Sequence, residues 1–241
     1  MSSDYRILPC GDAALVIKMG NDISVKTGTR VRALMQALSG KEGKGIVDLI
    51  PAYCSLTVCF DPLAVSYDKL CRRIARLAAA PESGISDHRR IYSIPVCYGG
   101  EFGPDLADVA SMTGLGEREV IARHSAAEYF IYMLGFLPGF PYLGGLDPAL
   151  AVKRLDSPRQ KIPCGSVGIG GSQTGVYPME SPGGWRLIGR TPVRLYDPSR
   201  EPSVLLHAGD FVRFVPVDRG EFDRIAALVE AGAYLPMMTE E

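Results

Sequence analysis

The chain has 241 residues, of which 46% are hydrophobic and 22% charged, with a formal net charge of −1. That length suits one large domain or two small ones. The near-neutral balance argues against a general nucleic-acid or membrane-surface binder. No apolar run reaches the roughly 18 residues of a helical membrane span, and Met1–Arg6 lacks a basic stretch ahead of an apolar core, so no secretion signal is expected.

Tyr5–Cys10 and Ala13–Met19 read as strands joined at Gly11-Asp12. Val31, Leu34, Met35 and Leu38 fall at helical spacing, and Gly40 ends that helix. Ile46–Ile50 and Cys54–Phe60 follow as strands, the second with Cys54, Leu56, Val58 and Phe60 on one face. A helix begins near Ser66, with Tyr67, Leu70, Ile74 and Leu77 on its inner side. The order suggests an α+β sandwich of ferredoxin-like kind, an antiparallel sheet with both helices on one face. Ala80–Asp87 is small, polar and Pro/Gly-containing, and is the candidate linker between domains at 1–86 and 87–241.

Arg90–Cys97 restarts as a strand. Pro104 suits a first helical turn that Gly114 ends, and a further helix covers Glu117 to Ala127 with Val120, Ile121 and His124 on its apolar stripe. From Gly135 to Gly189 glycines and prolines are frequent and strands are short, the mark of an all-β barrel or sandwich. Val193–Tyr196, Val204–Leu206 and Phe211–Val217 are expected strands, and Phe222, Ile225, Ala226 and Val229 mark a closing helix. The six cysteines are scattered without a CxxC pair, so they are expected to be reduced, and no metal site is expected.

Three segments could carry chemistry. Gly135–Gly145 holds four glycines, two prolines and three aromatics; it either plugs the core or walls a pocket, with Phe140 and Tyr142 as the pocket candidates. Ser157–Pro178 sets Arg159 and Lys161 ahead of a glycine-rich strand pair that includes Gln173, which suits an anion. It is not a Walker A loop, because no Lys-Ser/Thr follows its glycines, and Cys164 stands where a nucleophile elbow around Ser166 needs glycine. In Tyr177–Pro192, Glu180 and Ser181 precede Pro-Gly-Gly, the single Trp, Arg186 and Arg190. This is either an acid/base and anion-binding set or a surface Glu180–Arg190 salt bridge beside a core Trp. His124 is either a satisfied core histidine or an inward-pointing base; His88 and His207 receive no role.

The segments GFLPGFPYLGGLDP, SPRQKIPCGSVGIGGSQTGVYP and ESPGGWRLIGRTPVRLYDP, with the later HAGDFVRFVPV, resemble the KipI family, also called allophanate hydrolase subunit 1 or the 5-oxoprolinase B subunit. The resemblance spans the chain and is most specific from His124 to Val217. It implies a small α/β domain followed by a mainly β cyclophilin-like barrel. It also implies a cytoplasmic component of an ATP-dependent 5-oxoprolinase, active with a second cyclophilin-like component (the C subunit) and a LamB/YcsF-type one (the A subunit). ATP, with magnesium, belongs to the complex, and no cofactor is expected in the isolated chain. On matching positions, Glu180, His124 and Arg190 become the catalytic candidates; Phe140, Tyr142, Arg159, Gln173, Ser181 and Arg186 become the substrate-binding ones. Some relatives of this family inhibit a sporulation-type histidine kinase, which is the alternative reading; prolyl isomerase activity of the barrel is a third. Cys164 stands where a small or basic residue is expected.

Overall fold

The computed structural model describes residues 5–40, 43–79 and 89–241. The expected linker Ala80–Asp87 and His88 lie outside the described residues. The chain divides into two compact units, Met1–Asp87 and His88–Glu241.

In the first unit, β1 (Arg6–Pro9) and β2 (Ala14–Lys18) form a hairpin, followed by α1 (Val25–Ser39), β3 (Ile46–Pro51), β4 (Ser55–Phe60) and α2 (Tyr67–Ala78). The sheet is antiparallel, ordered β1-β2-β4-β3. Strand alternation puts Leu15, Ile17, Leu56 and Val58 on one face, where they form a single core with Val31, Leu34 and Leu38 of α1 and Leu70 and Ile74 of α2. Both helices therefore cover that face. Ser24 caps α1 by accepting from Thr27 N at 3.2 Å. Ser66 does occupy the N-cap of α2, but its side chain makes no cap hydrogen bond.

The second unit opens with β5 (Arg90–Tyr98), α3 (Leu106–Thr113) and α4 (Glu117–Ala126). Gly114 ends α3 at φ 71, a left-handed turn that glycine adopts without a Cβ clash. There follow β6 (Glu128–Leu134), β7 (Pro141–Gly144), a 3-10 turn at Pro148–Leu150, β8 (Arg159–Ile162), β9 (Ser166–Gly170), β10 (Gln173–Val176), β11 (Ser181–Gly183), β12 (Arg186–Arg190), β13 (Phe211–Pro216), α5 (Arg219–Glu230) and β14 (Met238–Glu240). The main sheet runs β10-β9-β12-β5-β13-β6-β7, with β14 also on β5, while β8 and β11 make a separate ribbon. The two edges approach each other: a Cβ on Gly175 of β10 would lie 3.3 Å from Pro141 O of β7. The sheet thus curls into a nearly closed barrel around Ile94, Val96, Val167, Ile169, Val176, Ile188 and Phe214.

Two expectations need correction. Val193–Tyr196 and Val204–Leu206 are not strands; the single bridge Tyr196–Val204 and one further bond, from Leu205 N to Leu195 O, join them. Conversely, Met238–Glu240, short and polar, gives no strand signal in sequence yet pairs with Arg90, Ile91 and Tyr92.

Candidate active site

Alternation along β9 and β10 builds two different environments. Val167, Ile169 and Val176 point into the barrel core, whereas Gly168, Gly170 and Gly175 lie on the outer face beneath Trp185. A Cβ on Gly170 would sit 2.4 Å from Trp185 Cδ1, so only glycine lets the indole come down onto the sheet. Around that indole, Phe140 packs at 5.7 Å and Tyr177 at 6.2 Å between ring centroids, both edge-on, with Tyr142 against Phe140 at 5.4 Å.

These rings wall a hollow of about 160 Å³ lined by Phe136, Phe140, Tyr142, Gln173, Tyr177 and Trp185, with Gly183, Gly184 and Arg154 completing it. All three glycine- and proline-stiffened segments meet here. The exposed Arg154 guanidinium stands over the Trp185 ring at 5.8 Å. Burial pushes the Tyr177 phenol up, against the Trp185 backbone N–H that it accepts and the charges of Arg154 and Arg159, so it stays protonated at neutral pH. Phe136, 68% exposed, holds φ 68, an uncommon and strained conformation for a bulky residue, and overhangs Phe140 edge-on at 5.7 Å.

His124 is fully buried, and burial lowers its pKa to about 3. Its Nδ1 lies 2.8 Å from Tyr98 Oη and its Nε2 lies 2.8 Å from Thr174 Oγ1, which itself donates to Gly168 O at 3.0 Å. Since the Thr174 proton is committed to Gly168, Nε2 donates and Nδ1 accepts from Tyr98. Both nitrogens are used, and the ring stacks on Phe214 at 4.8 Å. His124 is thus a neutral member of a core relay and does not reach the hollow.

The Glu180 side chain is 61% exposed and pairs with Lys161 at 3.4 Å; Arg190 Nε donates to Cys164 O at 2.9 Å, so the surface pair between Glu180 and Arg190 does not form. Arg159 donates to Asp105 Oδ1 at 2.7 Å, while Asp105 Oδ2 accepts from Leu187 N at 2.7 Å. Arg186 donates to Asp108 at 3.1 Å and to Lys153 O at 3.1 Å. Both guanidinium groups therefore tie α3 and its approach to the barrel. Among the described residues, Arg159 Nη1 and Ser181 Oγ are buried without a hydrogen-bond partner, so each keeps a bonding capacity the protein itself does not fill. Among the described residues, the cation at the hollow is Arg154, which sequence reasoning missed because no local pattern surrounds it, and no carboxylate lines the hollow. Trp185 and Tyr177 were also missed as lining residues; glycines alternating with Val167 and Ile169 were the available signal.

A barrel-like sheet carrying a pocket on its outer face and preceded by a small α/β unit is the architecture of a carboxyltransferase-type domain, and the family model of the carboxyltransferase domain, subdomain C and D, matches residues 5–206. Within that class the chain belongs to the family of 5-oxoprolinase B subunits. It is 43% identical over 232 residues to the 5-oxoprolinase B subunit of Bacillus subtilis (strain 168), covering 92% of this chain and 97% of that one. It is also 43% identical over 211 residues to the protein of the same name from Escherichia coli O157:H7, covering 87% and 95%. The crystal structure of TTHA0988 superposes with TM-score 0.75 at 40% identity; the match covers 85% of this chain and only 40% of that longer one.

Proposed function

We propose that the chain is the B subunit of an ATP-dependent 5-oxoprolinase, which hydrolyses 5-oxo-L-proline to L-glutamate, and that the outer hollow receives the lactam. The observation that carries this reading is the convergence of the three stiffened loops on one small, aromatic-walled hollow with a guanidinium at its mouth. Near full-length similarity to proteins named as the B subunit of 5-oxoprolinase supports it. About 160 Å³ suits a single small ring. The ring lies against Phe140, Tyr142 and Trp185, its carboxylate meets Arg154, and the Gln173 carboxamide and the Tyr177 hydroxyl address the lactam group. Burying the amide among apolar walls and fixed donors aligns its carbonyl for activation and strengthens each polar contact.

ATP supplies the phosphoryl group that makes the stable lactam carbonyl reactive toward water. The hollow lies well below the roughly 300 Å³ at which cofactor pockets begin, so the nucleotide is held elsewhere in the complex. Glu180, exposed and one residue before the β11 strand that reaches the hollow, is the base left available to an assembled complex. Arg159 Nη1 and Ser181 Oγ remain additional ligand-binding candidates through their unfilled capacity, and Arg186 and Arg190 hold the scaffold. His124 positions β10 through Thr174.

The cyclophilin-like C subunit and a LamB/YcsF-type A subunit are the partners in this reading. The exposed Phe136 supports docking beside the hollow. The first unit reads as a ferredoxin-like sandwich whose last strand has moved to the front, since that permutation gives the order β1-β2-β4-β3; the second reads as cyclophilin-like. Six free cysteines suit a cytoplasmic location, and among the described residues no helix is long and apolar enough to cross a membrane. The test is co-expression with the two partners: ATP-dependent glutamate release is expected, and a complete complex that binds 5-oxo-L-proline nowhere and releases no glutamate overturns the reading.

A further inference from the structure

The first unit holds a cavity of about 510 Å³, walled by four cationic side chains, Arg6, Lys18, Lys26 and Arg30, against the single carboxylate of Asp22. Arg6 and Lys18 are direct partners in the antiparallel β1–β2 register. Their Cβ atoms therefore stand about 5 Å apart on the same face, an arrangement that destabilises a sheet when both side chains carry like charge. Lys18 is half-buried, which removes part of the water that would screen it. Among the described residues, Arg6, Lys18 and Lys26 form no ion pair. Lys26 comes from the first turn of α1 and Arg30 from the next turn, so the cations approach the same hollow from both the hairpin and the helix. Arg30 is oriented by donation to Met19 O at 3.4 Å. A cavity of this size accommodates a ligand several times larger than the outer hollow of the second unit does.

We propose that this cavity binds the phosphate chain of a phosphate-rich ligand. An anion of two or more charges would turn the repulsion between Arg6 and Lys18 into charge-assisted hydrogen bonding. Free inorganic polyphosphate and the triphosphate of a nucleotide share this chemistry. The proposal stands apart from the reading of the outer hollow, because no residue is common to both.

The test is calorimetric titration of the full chain with inorganic tripolyphosphate, with ATP and with orthophosphate, at constant ionic strength. Tripolyphosphate and ATP bind in the expected result, both more tightly than orthophosphate. Equal affinity identifies the phosphate chain as the whole epitope, and tighter ATP binding adds a contribution from the nucleoside. The double variant Lys18→Glu/Lys26→Glu weakens both by about tenfold or more, whereas Arg118→Glu, an exposed charge reversal in the second unit, changes neither. Lys18→Gln serves as the fold control: it relieves the like-charge pair, raises the melting temperature of the ligand-free protein, and still weakens binding. No binding of either polyanion, or undiminished binding to Lys18→Gln and the double variant, overturns the proposal.

Discussion

The two faces of the β9–β10 hairpin show how one pair of strands closes a core and floors an open aromatic hollow at once. Inward, Val167, Ile169 and Val176 close the barrel, and Thr174 meets a histidine that has lost its base character to burial. Outward, alternate positions are glycine, and the space they leave is filled by Trp185, Phe140 and Tyr177 around an open hollow. The histidine thus sits where burial keeps it neutral, and the aromatic rings sit around a hollow open to solvent. A histidine in sequence is a weaker guide to such a site than the absence of side chains at every second residue.

The sharpest break of this comparison is Trp185→Ala, which empties the outer face and is expected to cost about 3–5 kcal/mol in chemical denaturation. Gly170→Ala presses a methyl group onto the indole and should cost about 1–3 kcal/mol. The chain's single Trp reports the displacement directly as a change in fluorescence. On the inner face the expectation concerns pH. The folded His124 value of about 3 lies below the exposed imidazole value of about 6.5, so the folded state binds the proton less well than the unfolded one. Its contribution is whole above about pH 6.5 and is lost by about 1.4 kcal/mol per unit as pH falls toward 3. Urea midpoints of His124→Asn and wild type should therefore be furthest apart at pH 7 and converge toward pH 5, with the variant showing the shallower dependence. At the rim, Phe136→Gly relieves a left-handed backbone and should leave stability unchanged or raise it by up to about 1 kcal/mol; ligand affinity falls because a wall is lost. The smallest effect is that of Glu180→Ala: its exposed pair with Lys161 is worth less than about 0.5 kcal/mol. A large loss of turnover in the assembled complex with unchanged melting would therefore isolate a chemical role.

Local order was legible because it is written locally. The alternation of Leu56, Val58 and Phe60, the helical spacing of Val31, Leu34 and Leu38, and Gly114 at a left-handed turn each announce an element within a few residues. Phe140, Tyr142 and Gln173 stood out locally because they lie in glycine- and proline-rich segments, and all three line the hollow. Arg154 was not legible, since its meaning comes from standing over Trp185, thirty-one positions away, and from nothing beside it in the chain. The fate of the expected cations was equally distant. Arg159 and Arg186 look like anion ligands until Asp105 and Asp108, near the start of α3, are seen to neutralise them. The β14 strand escaped notice because its three residues are exposed and pair only with β5 at the other end of the unit.

The most direct measurement is the dependence of ATP-driven glutamate release on 5-oxo-L-proline concentration in a reconstituted complex carrying Arg154→Ala. A KM raised about tenfold or more, with kcat and melting temperature close to wild type, is the expected result. Wild-type KM and kcat in that variant would contradict the placement of the lactam carboxylate at the mouth of the outer hollow.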